Sequence, residues 1–260
     1  MKPRPYKIFP PRPVAGRVSL NGWWALWEQK RRRSRLNVSV PPFVPPDSVF
    51  WLNSESIGVD SGEAIAFWPD VRGAAQNASQ ATVTAQPLFE RVTFAGKHFG
   101  VARFDTVDDG MATTASIFGG DPFAIFMLWR PADLGISSAA VSSGTLSWQI
   151  GTGGGQMICI CEGLTAQAVV NTSDFFLIEV RLTPDQPATW AYVNGVQTGI
   201  ITGGGTSPPG VVALGSGVDG LGLPGGCDLA ELLIYNRGVS DDEAAGIRAY
   251  FQEQYNYLKL

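Results

Sequence analysis

The chain has few of the residues that most catalytic and metal sites need. It contains one histidine, three cysteines and only 16% charged residues among its 260. His98 stands in "AGKHFG" with no nucleophile motif beside it, so a Ser-His-Asp triad is not supported. Cys159 and Cys161 share one strand face and Cys227 is distant in sequence, which supplies neither four zinc ligands nor a disulfide framework. The sequence predicts reduced, buried thiols.

Long apolar runs are also absent. The stretch "FAIFMLW" at 123–129 is among the longest and falls far short of the roughly 20 residues of a membrane-spanning helix. The N-terminus, "MKPRPYKIFPPRPVAG", has no apolar core of the kind found in secretory leaders. We therefore expect neither a membrane span nor a signal peptide.

Charge is divided unevenly along the chain. Residues 1–40 hold ten Lys or Arg and one Glu, a net charge of +9, whereas the remainder holds nine basic and 22 acidic residues, a net charge of −13. This pattern is typical of a basic tail attached to an acidic body. Together with the Pro-rich run "VPPFVPPD" at 40–47, it predicts an extended arm over residues 1–46 and a folded domain over 47–260.

The arm contains the segment "NGWWALWEQKRRRSR" at 21–35, in which a short helix would present an aromatic stripe and a basic end. Trp and Arg often dominate the energetics of protein interfaces. We expect the segment to bind a neighbouring subunit or a second copy of the chain. In one alternative, the aromatic stripe packs within its own chain and the basic residues face solvent. In another, the basic residues contact nucleic acid. The residues expected to make this contact are Trp23, Trp24, Trp27, Arg31, Arg32, Arg33 and Arg35.

From residue 48 onward the pattern is that of short strands joined by turns. "FAIFMLW" predicts a strand covered on both faces, and "FLIEVRL" at 176–182 predicts a strand whose Glu179 and Arg181 face water. Asn194-Gly195 predicts a tight hairpin because both residues accept a positive φ. The architecture expected from these patterns is antiparallel β.

One clear helix is predicted at the C-terminus. Ser240 and Glu243 form a capping box, and Asp241 and Asp242 add negative charge to the first turn. Apolar residues then recur on one face, which should pack against the sheets: Ile247, Tyr250, Phe251 and Tyr255.

Four segments carry a resemblance to a known family: "AFWPDVRGAAQNASQAT" at 66–82, "VARFDTVDDGM" at 101–111, "YVNGV" at 192–196 and "LAELLIYNRGVSDDEAAGIRAYFQEQYNY" at 229–257. Their order resembles that of the LamG-like jelly-roll branch of the concanavalin A-like lectin/glucanase family. The resemblance implies an all-β, two-sheet antiparallel jelly-roll sandwich with a C-terminal helix. The arm has no counterpart in that family.

Several candidate sites can be weighed within that fold. The glucanases of the superfamily carry an E-x-D-x-x-E string, which is absent here, and Glu179 and Glu231 each stand alone in a strand, so we predict no enzymatic activity. Trp148, Trp190 and Tyr192 could form a sugar platform, with burial in the core as the alternative. Asp105, Asp108 and Asp109 offer oxygen ligands for Ca²⁺, although carboxylates at such a position more often close a turn. No other cofactor is predicted.

Fold alone does not give function. Because an arm rich in Pro, Arg and Trp can lace subunits together, we expect a virion structural protein of a tailed phage, either a capsid decoration protein or an accessory head or tail component. Such a protein would be made in the host cytoplasm and located in the virion. The alternative is a carbohydrate-binding or adhesion module that recognises host-surface glycans. Nucleic-acid or membrane-surface binding through Lys30–Arg35 is a third interpretation.

Overall fold

The computed structural model describes residues 47–73, 76–117, 123–143, 148–161, 164–182, 188–202, 210–215 and 226–258. The arm, with the tryptophans and arginines named for it above, lies outside the described residues. Its helix, its partner and its boundary at residue 46 therefore stay predictions.

The described chain is built from two antiparallel sheets, which confirms the predicted all-β sandwich. Sheet 1 contains β1 (Phe50–Asn53), β4 (Leu88–Phe94), β5 (Lys97–Phe104), β7 (Ala124–Pro131), β12 (Phe176–Leu182), β13 (Ala188–Val193), β14 (Val196–Thr202) and β16 (Cys227–Tyr235). Sheet 2 contains β2 (Phe67–Trp68), β3 (Ala78–Ser79), β6 (Met111–Thr113), β8 (Ser138–Ser143), β9 (Trp148–Gly153), β10 (Gln156–Cys161), β11 (Leu164–Ala168) and β15 (Val212–Leu214).

Strand order places β16 near the centre of sheet 1. The order across this sheet is β14–β13–β12–β7–β16–β5–β4, and that of sheet 2 is β11–β10–β9–β8–β15–β6–β3–β2. One edge of β16 pairs with β7, while its other edge is shared: β5 pairs with 227–229 and β1 pairs with 231–234. The two halves of β16 therefore have different neighbours.

The middle of sheet 1 is covered on both faces. Along β7, Ile125, Met127 and Trp129 join the core between the sheets, whereas Phe126 and Leu128 belong to a second core beneath the C-terminal helix. This confirms the prediction from "FAIFMLW". We call the surface of sheet 1 that points away from sheet 2 its outer face.

The C-terminal helix, α1 (Asp241–Tyr255), packs on this outer face. Its capping box is formed as predicted: the Ser240 hydroxyl accepts a hydrogen bond from the Glu243 N–H at 3.2 Å, and the Glu243 carboxylate accepts one from the Ser240 N–H at 3.0 Å. The helix ends at Asn256, which adopts φ 52°. Among the described residues, no helix has the length and apolar character to cross a bilayer.

The prediction that Glu179 and Arg181 face water is wrong. Their side chains are 0% and 4% exposed, because α1 covers this part of the outer face and supplies partners for both. Arg248 Nη1 donates to Glu179 Oε2 at 2.9 Å, and Arg181 Nη1 donates to Asp241 Oδ1 at 2.8 Å. The alternation of the sequence correctly placed both side chains on the face of the strand that points away from the core between the sheets. It could not show that α1 covers this face.

The hairpin between β13 and β14 turns at Asn194 and Gly195, with φ values of 52° and 78°, as predicted. A Cβ on Gly195 would lie 2.9 Å from Cδ of Arg248. Glycine at this position suits the turn, and it leaves room for the Arg248 side chain that neutralises Glu179.

Candidate ligand-binding site

A β-bulge in β16 sets the direction of two carboxylates. Leu229 pairs with Trp129 and Glu231 with Leu128, so Ala230 is an extra residue between them. Ala230 and Glu231 consequently both point to the outer face, where strict alternation would have turned Glu231 inward. The neighbours of Asp228 in the strand, Cys227 and Leu229, point into the core between the sheets, so the Asp228 side chain also points outward. Two carboxylates of one strand therefore share one face.

Asp228 lies at the centre of a row of three charges on adjacent strands. Arg103 of β5 and Arg130 of β7 are its direct cross-strand partners. Arg103 Nε donates to Asp228 Oδ1 at 2.8 Å and its Nη2 donates to Oδ2 at 3.3 Å. Arg130 donates to Oδ2 through Nε, at 3.1 Å, and through Nη2. The Arg130 guanidinium also lies over the Phe175 ring, 4.7 Å from its centroid, which fixes its orientation.

The charged row forms one wall of a cavity of about 450 Å³. Loops that follow β5 and β7 and precede β12 and β16 complete the wall, and they contribute Asp105, Thr106, Ala132, Thr172 and Gly226. A Cβ on Gly226 would lie 2.5 Å from Cγ2 of Thr106, so glycine is what lets these two loops approach each other. The volume is in the range of small-molecule sites in proteins.

The row presents hydrogen-bond donors to the cavity. Both Asp228 oxygens accept guanidinium N–H groups, one at Oδ1 and three at Oδ2. Within the described part of the chain, no acceptor binds Nη1 of Arg103 or of Arg130. The bond to Asp228 raises the pKa of Arg103, so its charge is permanent. Two cations against one anion give the row a charge of +1.

Glu231, the second outward carboxylate, is sealed beneath α1. It accepts hydrogen bonds from the Tyr250 hydroxyl at 2.9 Å, the Tyr255 hydroxyl at 2.5 Å and the Trp51 indole N–H at 2.6 Å. Burial raises its pKa to about 7, although these donors oppose the shift. Because it is 0% exposed, Glu231 joins the helix to the sheet and is out of reach of a ligand.

Glu179, the other glutamate considered above for hydrolysis, is equally inaccessible. Burial raises its pKa, and the bond from Arg248 works in the opposite direction. Glycoside hydrolysis needs two carboxyl groups about 5–10 Å apart that both reach the sugar. Neither Glu179 nor Glu231 meets the second condition.

The predicted aromatic platform is divided by the structure. Trp148 is buried in the core between the sheets, whereas Trp190 and Tyr192 are half-buried on the outer face of β13. The Arg181 guanidinium lies 4.4 Å from the centroid of the Tyr192 ring. We call Trp190 and Tyr192 the aromatic shelf. It lies at the Ala124 end of β7, away from the Arg130 end that borders the cavity.

The three aspartates suggested for Ca²⁺ come together, with carboxylate oxygens within 4.8 Å of one another. Asp105 Oδ1 accepts from the N–H groups of Val107, Asp108 and Asp109 at 2.8, 3.1 and 3.3 Å, and Asp109 Oδ2 accepts from the Asp105 N–H at 2.8 Å. These bonds confirm the turn-closing interpretation. Partial burial would raise the pKa of Asp105, but the three backbone donors outweigh it and lower that pKa. Burial and the acidic neighbours raise the pKa of Asp109 to about 6.

Sequence reasoning missed the Arg103–Asp228–Arg130 row, although a signal exists. In β5 the outward positions read Phe99, Val101, Arg103, and in β7 they end Leu128, Arg130. In each strand the outward residues change from apolar to charged at the same end of the sheet. If β5 and β7 had been aligned at the position where their outward residues become charged, the alignment would have indicated the part of the outer face that α1 does not cover.

Comparisons with known proteins establish the fold. No protein-family profile matches the chain, and no curated protein matches it in sequence. Among solved structures, Trypanosoma rangeli sialidase in complex with the inhibitor DANA is similar at TM-score 0.55 and 12% identity, covering 88% of this chain and 37% of that chain. The botulinum neurotoxin type G receptor binding domain is similar at TM-score 0.55 and 10% identity, covering 78% of this chain and 51% of that one.

A third similar structure is the binding domain of Paraclostridial Mosquitocidal Protein 1, at TM-score 0.50 and 15% identity, with 79% of this chain and 52% of that chain covered. This chain thus spans between about a third and a half of the structures it matches. Identities this low show a shared β-sandwich fold and nothing narrower. The LamG-like assignment within that fold stays a prediction.

Proposed function

We propose that the sandwich is a carbohydrate-recognition domain that binds its ligand in the cavity beside Arg103, Asp228 and Arg130. The observation that carries the proposal is the cavity itself: about 450 Å³, with two ion-paired guanidinium groups among its lining. That space accommodates one or two sugar rings. Similar structures are named as a receptor binding domain, a binding domain and a sialidase in complex with the inhibitor DANA, which supports a recognition role.

The lining has the chemistry of a sugar site. Guanidinium N–H groups donate to ring, hydroxyl and carboxylate oxygens, and the Thr106 and Thr172 hydroxyls can both donate and accept. The loops that carry these residues end at a rigid sheet, an arrangement common in recognition domains.

Binding is favoured over catalysis by the state of the carboxylates. The cavity is lined by Asp105 and Asp228, but both oxygens of Asp228 are held by arginines. Asp105 alone could therefore present a free oxygen to a substrate, whereas glycoside hydrolysis needs two such carboxyl groups. We therefore propose a non-enzymatic module.

A glycan array probed with the full chain tests the proposal. Binding to a defined set of glycans is expected, and Arg103→Gln should reduce it. Arg91→Gln is the matched control, because Arg91 is a similarly exposed, ion-paired arginine on β4 that does not line the cavity. An array with no bound glycan, or a signal that survives Arg103→Gln, would overturn the assignment of the cavity.

The aromatic shelf is a second candidate for the sugar site. Trp190 and Tyr192 offer half-exposed rings of the kind that stack on sugar faces, beside the charged Arg181 and the exposed Asp241. Loss of the array signal in Trp190→Ala, with Arg103→Gln unchanged, would move the site from the cavity to the shelf.

The narrower proposal of a virion structural protein rests on the sequence of residues 1–46. In it, Trp23, Trp24 and Trp27 bury their rings on a capsid or tail subunit, or on a second copy of the chain, and the Arg31–Arg35 cluster pairs with acidic groups there. Deleting residues 1–40 should then leave a folded domain that no longer joins particles. Incorporation at full occupancy would contradict the proposal, and loss of salt-sensitive DNA binding alone would indicate a nucleic-acid arm instead.

A further inference from the structure

We infer that the cavity binds a neutral sugar through its hydroxyl groups and discriminates against acidic sugars. The inference rests on the proposed function and specifies the class of ligand. Two features of the lining support it: the balance of its charges, and the polar atoms that have no partner within the described residues.

The charges of the cavity lining cancel. Arg103 and Arg130 both pair with Asp228. The fourth charged residue of the lining is Asp105. Partial burial would raise the pKa of Asp105, but three backbone N–H groups lower it, so this carboxylate is ionised at neutral pH. Two guanidinium groups and two carboxylates leave the lining without a net charge.

Further acidic residues lie beside the lining. Asp108 and Asp109 belong to the same turn as Asp105, and carboxylate oxygens of the three lie within 4.8 Å of one another. Glu90 adds negative potential at Arg103. An anionic ligand in the cavity would therefore meet more negative than positive charge.

Without a net charge in the lining, the cost of removing water from the ligand decides which class of sugar binds. A charged sugar is attracted by the lining groups of opposite sign and repelled by those of like sign, yet it loses the strong hydration of an ion. A hydroxyl group costs much less to desolvate, and a hydrogen bond offsets that cost. A neutral sugar is therefore the better ligand.

The polar atoms of the lining suit hydroxyl groups. Oδ1 of Asp105 accepts three N–H groups, whereas no residue in the described part of the chain donates to its Oδ2. The hydroxyls of Thr106 and Thr172 likewise have no partner among the described residues, and Nη1 of Arg103 is not taken by Asp228. A sugar hydroxyl can donate to the first of these groups and accept from the last, and the threonines can do either.

The glycan array and a calorimetric titration, both with the unmodified full chain, test the inference. The glycans bound on the array should be neutral. In the titration, glucose is compared with glucuronic acid and with glucosamine, and galactose with galacturonic acid. At least one neutral sugar should bind about tenfold more tightly than its acid, with little change on addition of salt.

Two results of these measurements would overturn the inference. The first is an acid that binds as tightly as its neutral counterpart, or an array on which the bound glycans are acidic. The second is glucosamine that binds more tightly than glucose in a salt-sensitive manner, because the ligand would then be cationic.

A substitution at Asp105 examines the lining directly. Asp105→Asn keeps one oxygen for the turn, replaces the other with an N–H donor and removes the negative charge. Neutral-sugar affinity should fall about tenfold, and the discrimination against the acid should shrink. Asp133→Asn is the matched control, because Asp133 Oδ1 also accepts a turn N–H, from Gly135 at 2.7 Å, but Asp133 does not line the cavity. Equal effects of the two substitutions would contradict the inference.

The outcomes also separate this inference from the proposed function. Binding of acidic glycans that is lost in Arg103→Gln would reject the neutral ligand and keep the sugar site. Neutral-sugar binding that survives both Arg103→Gln and Asp105→Asn would reject the cavity for either purpose. If no glycan binds on the array and no sugar binds in the titration, both proposals fail.

Discussion

Asp228 and Glu231 lie three residues apart on β16 and point to the same face, yet they have opposite environments. Asp228 is bound by two arginines and borders a cavity. Glu231 has only uncharged donors, Tyr250, Tyr255 and Trp51, and is sealed by α1. The neighbours differ because β5 flanks the first half of the strand and β1 the second.

The contrast separates two uses of a carboxylate. Without a counter-charge, the buried Glu231 is held by neutral hydrogen bonds, and its ionisation is penalised by desolvation. With two counter-charges, Asp228 is held by charged hydrogen bonds beside the cavity. We call the Glu231 half of β16, beneath α1, the sealed end, and the Asp228 half, beside the cavity, the open end. We therefore expect substitutions at the sealed end to affect folding and substitutions at the open end to affect binding.

The largest effect is expected at the sealed end from Phe251→Ala. Phe251 is fully buried in the core between α1 and sheet 1, so its truncation should lower the free energy of unfolding by about 3–5 kcal/mol, measured by urea denaturation. Glu253→Ala, on the exposed side of the same helix, is the control and should cost less than about 0.5 kcal/mol. A loss below 1 kcal/mol for Phe251→Ala would mean that the sealed end is not packed as described.

The pH dependence of stability should come next. The folded-state pKa of Glu231, about 7, is above its ordinary value of 4.5, so the protonated form favours folding. Its contribution should be fully present below pH 4.5 and lost as pH rises to 7, at most about 3 kcal/mol over that interval. Urea denaturation at several pH values measures it. Glu231→Gln should flatten this part of the profile, and an unchanged slope would show that other groups cause it.

At the open end, Arg103→Gln should lower the free energy of unfolding by less than about 1 kcal/mol. The Arg103 side chain is 43% exposed and Asp228 keeps its bonds to Arg130. The same urea experiment measures the change. A loss comparable to that of Phe251→Ala would remove the distinction between the two ends.

The smallest effect is expected from Ca²⁺. Because the carboxylates of Asp105 and Asp109 already accept backbone N–H groups, addition of millimolar Ca²⁺ or of a chelator should leave Tm within about 1 °C. A clear rise with Ca²⁺ and none with Mg²⁺ would instead assign a cation to the loop at the edge of the cavity.

The features that sequence predicted are local ones. The capping box of α1, the Asn194-Gly195 hairpin and the turn closed by Asp105 each depend on residues within about four positions of one another, where spacing alone carries the chemistry. The two-sided burial of β7 follows from its continuous apolar run in the same way.

The candidate site depends on long-range pairing, which sequence did not supply. Arg103, Arg130 and Asp228 meet only because β5, β16 and β7 are neighbours, and Asp228 is 125 and 98 positions from its two partners. The error at Glu179 has the same origin, since Arg248 arrives from a helix 69 positions away. The alternation of apolar and polar residues predicts the face of the sheet to which a side chain points. The partner of that side chain depends on which strands and helices are its neighbours in the fold.

The bulge at Ala230 also bears on how faithfully the domain folds. In a regular strand, a slip of two residues keeps every side chain on its correct face and so costs little specificity. In β16 the bulge removes this tolerance. If β16 shifted by two residues along β7, a different residue would lie at the bulge. Either Glu231 would then point into the core between the sheets, or a leucine would point to the outer face. Only one alignment of this central strand is therefore compatible with both cores, so we expect misregistered forms to be disfavoured as the domain assembles.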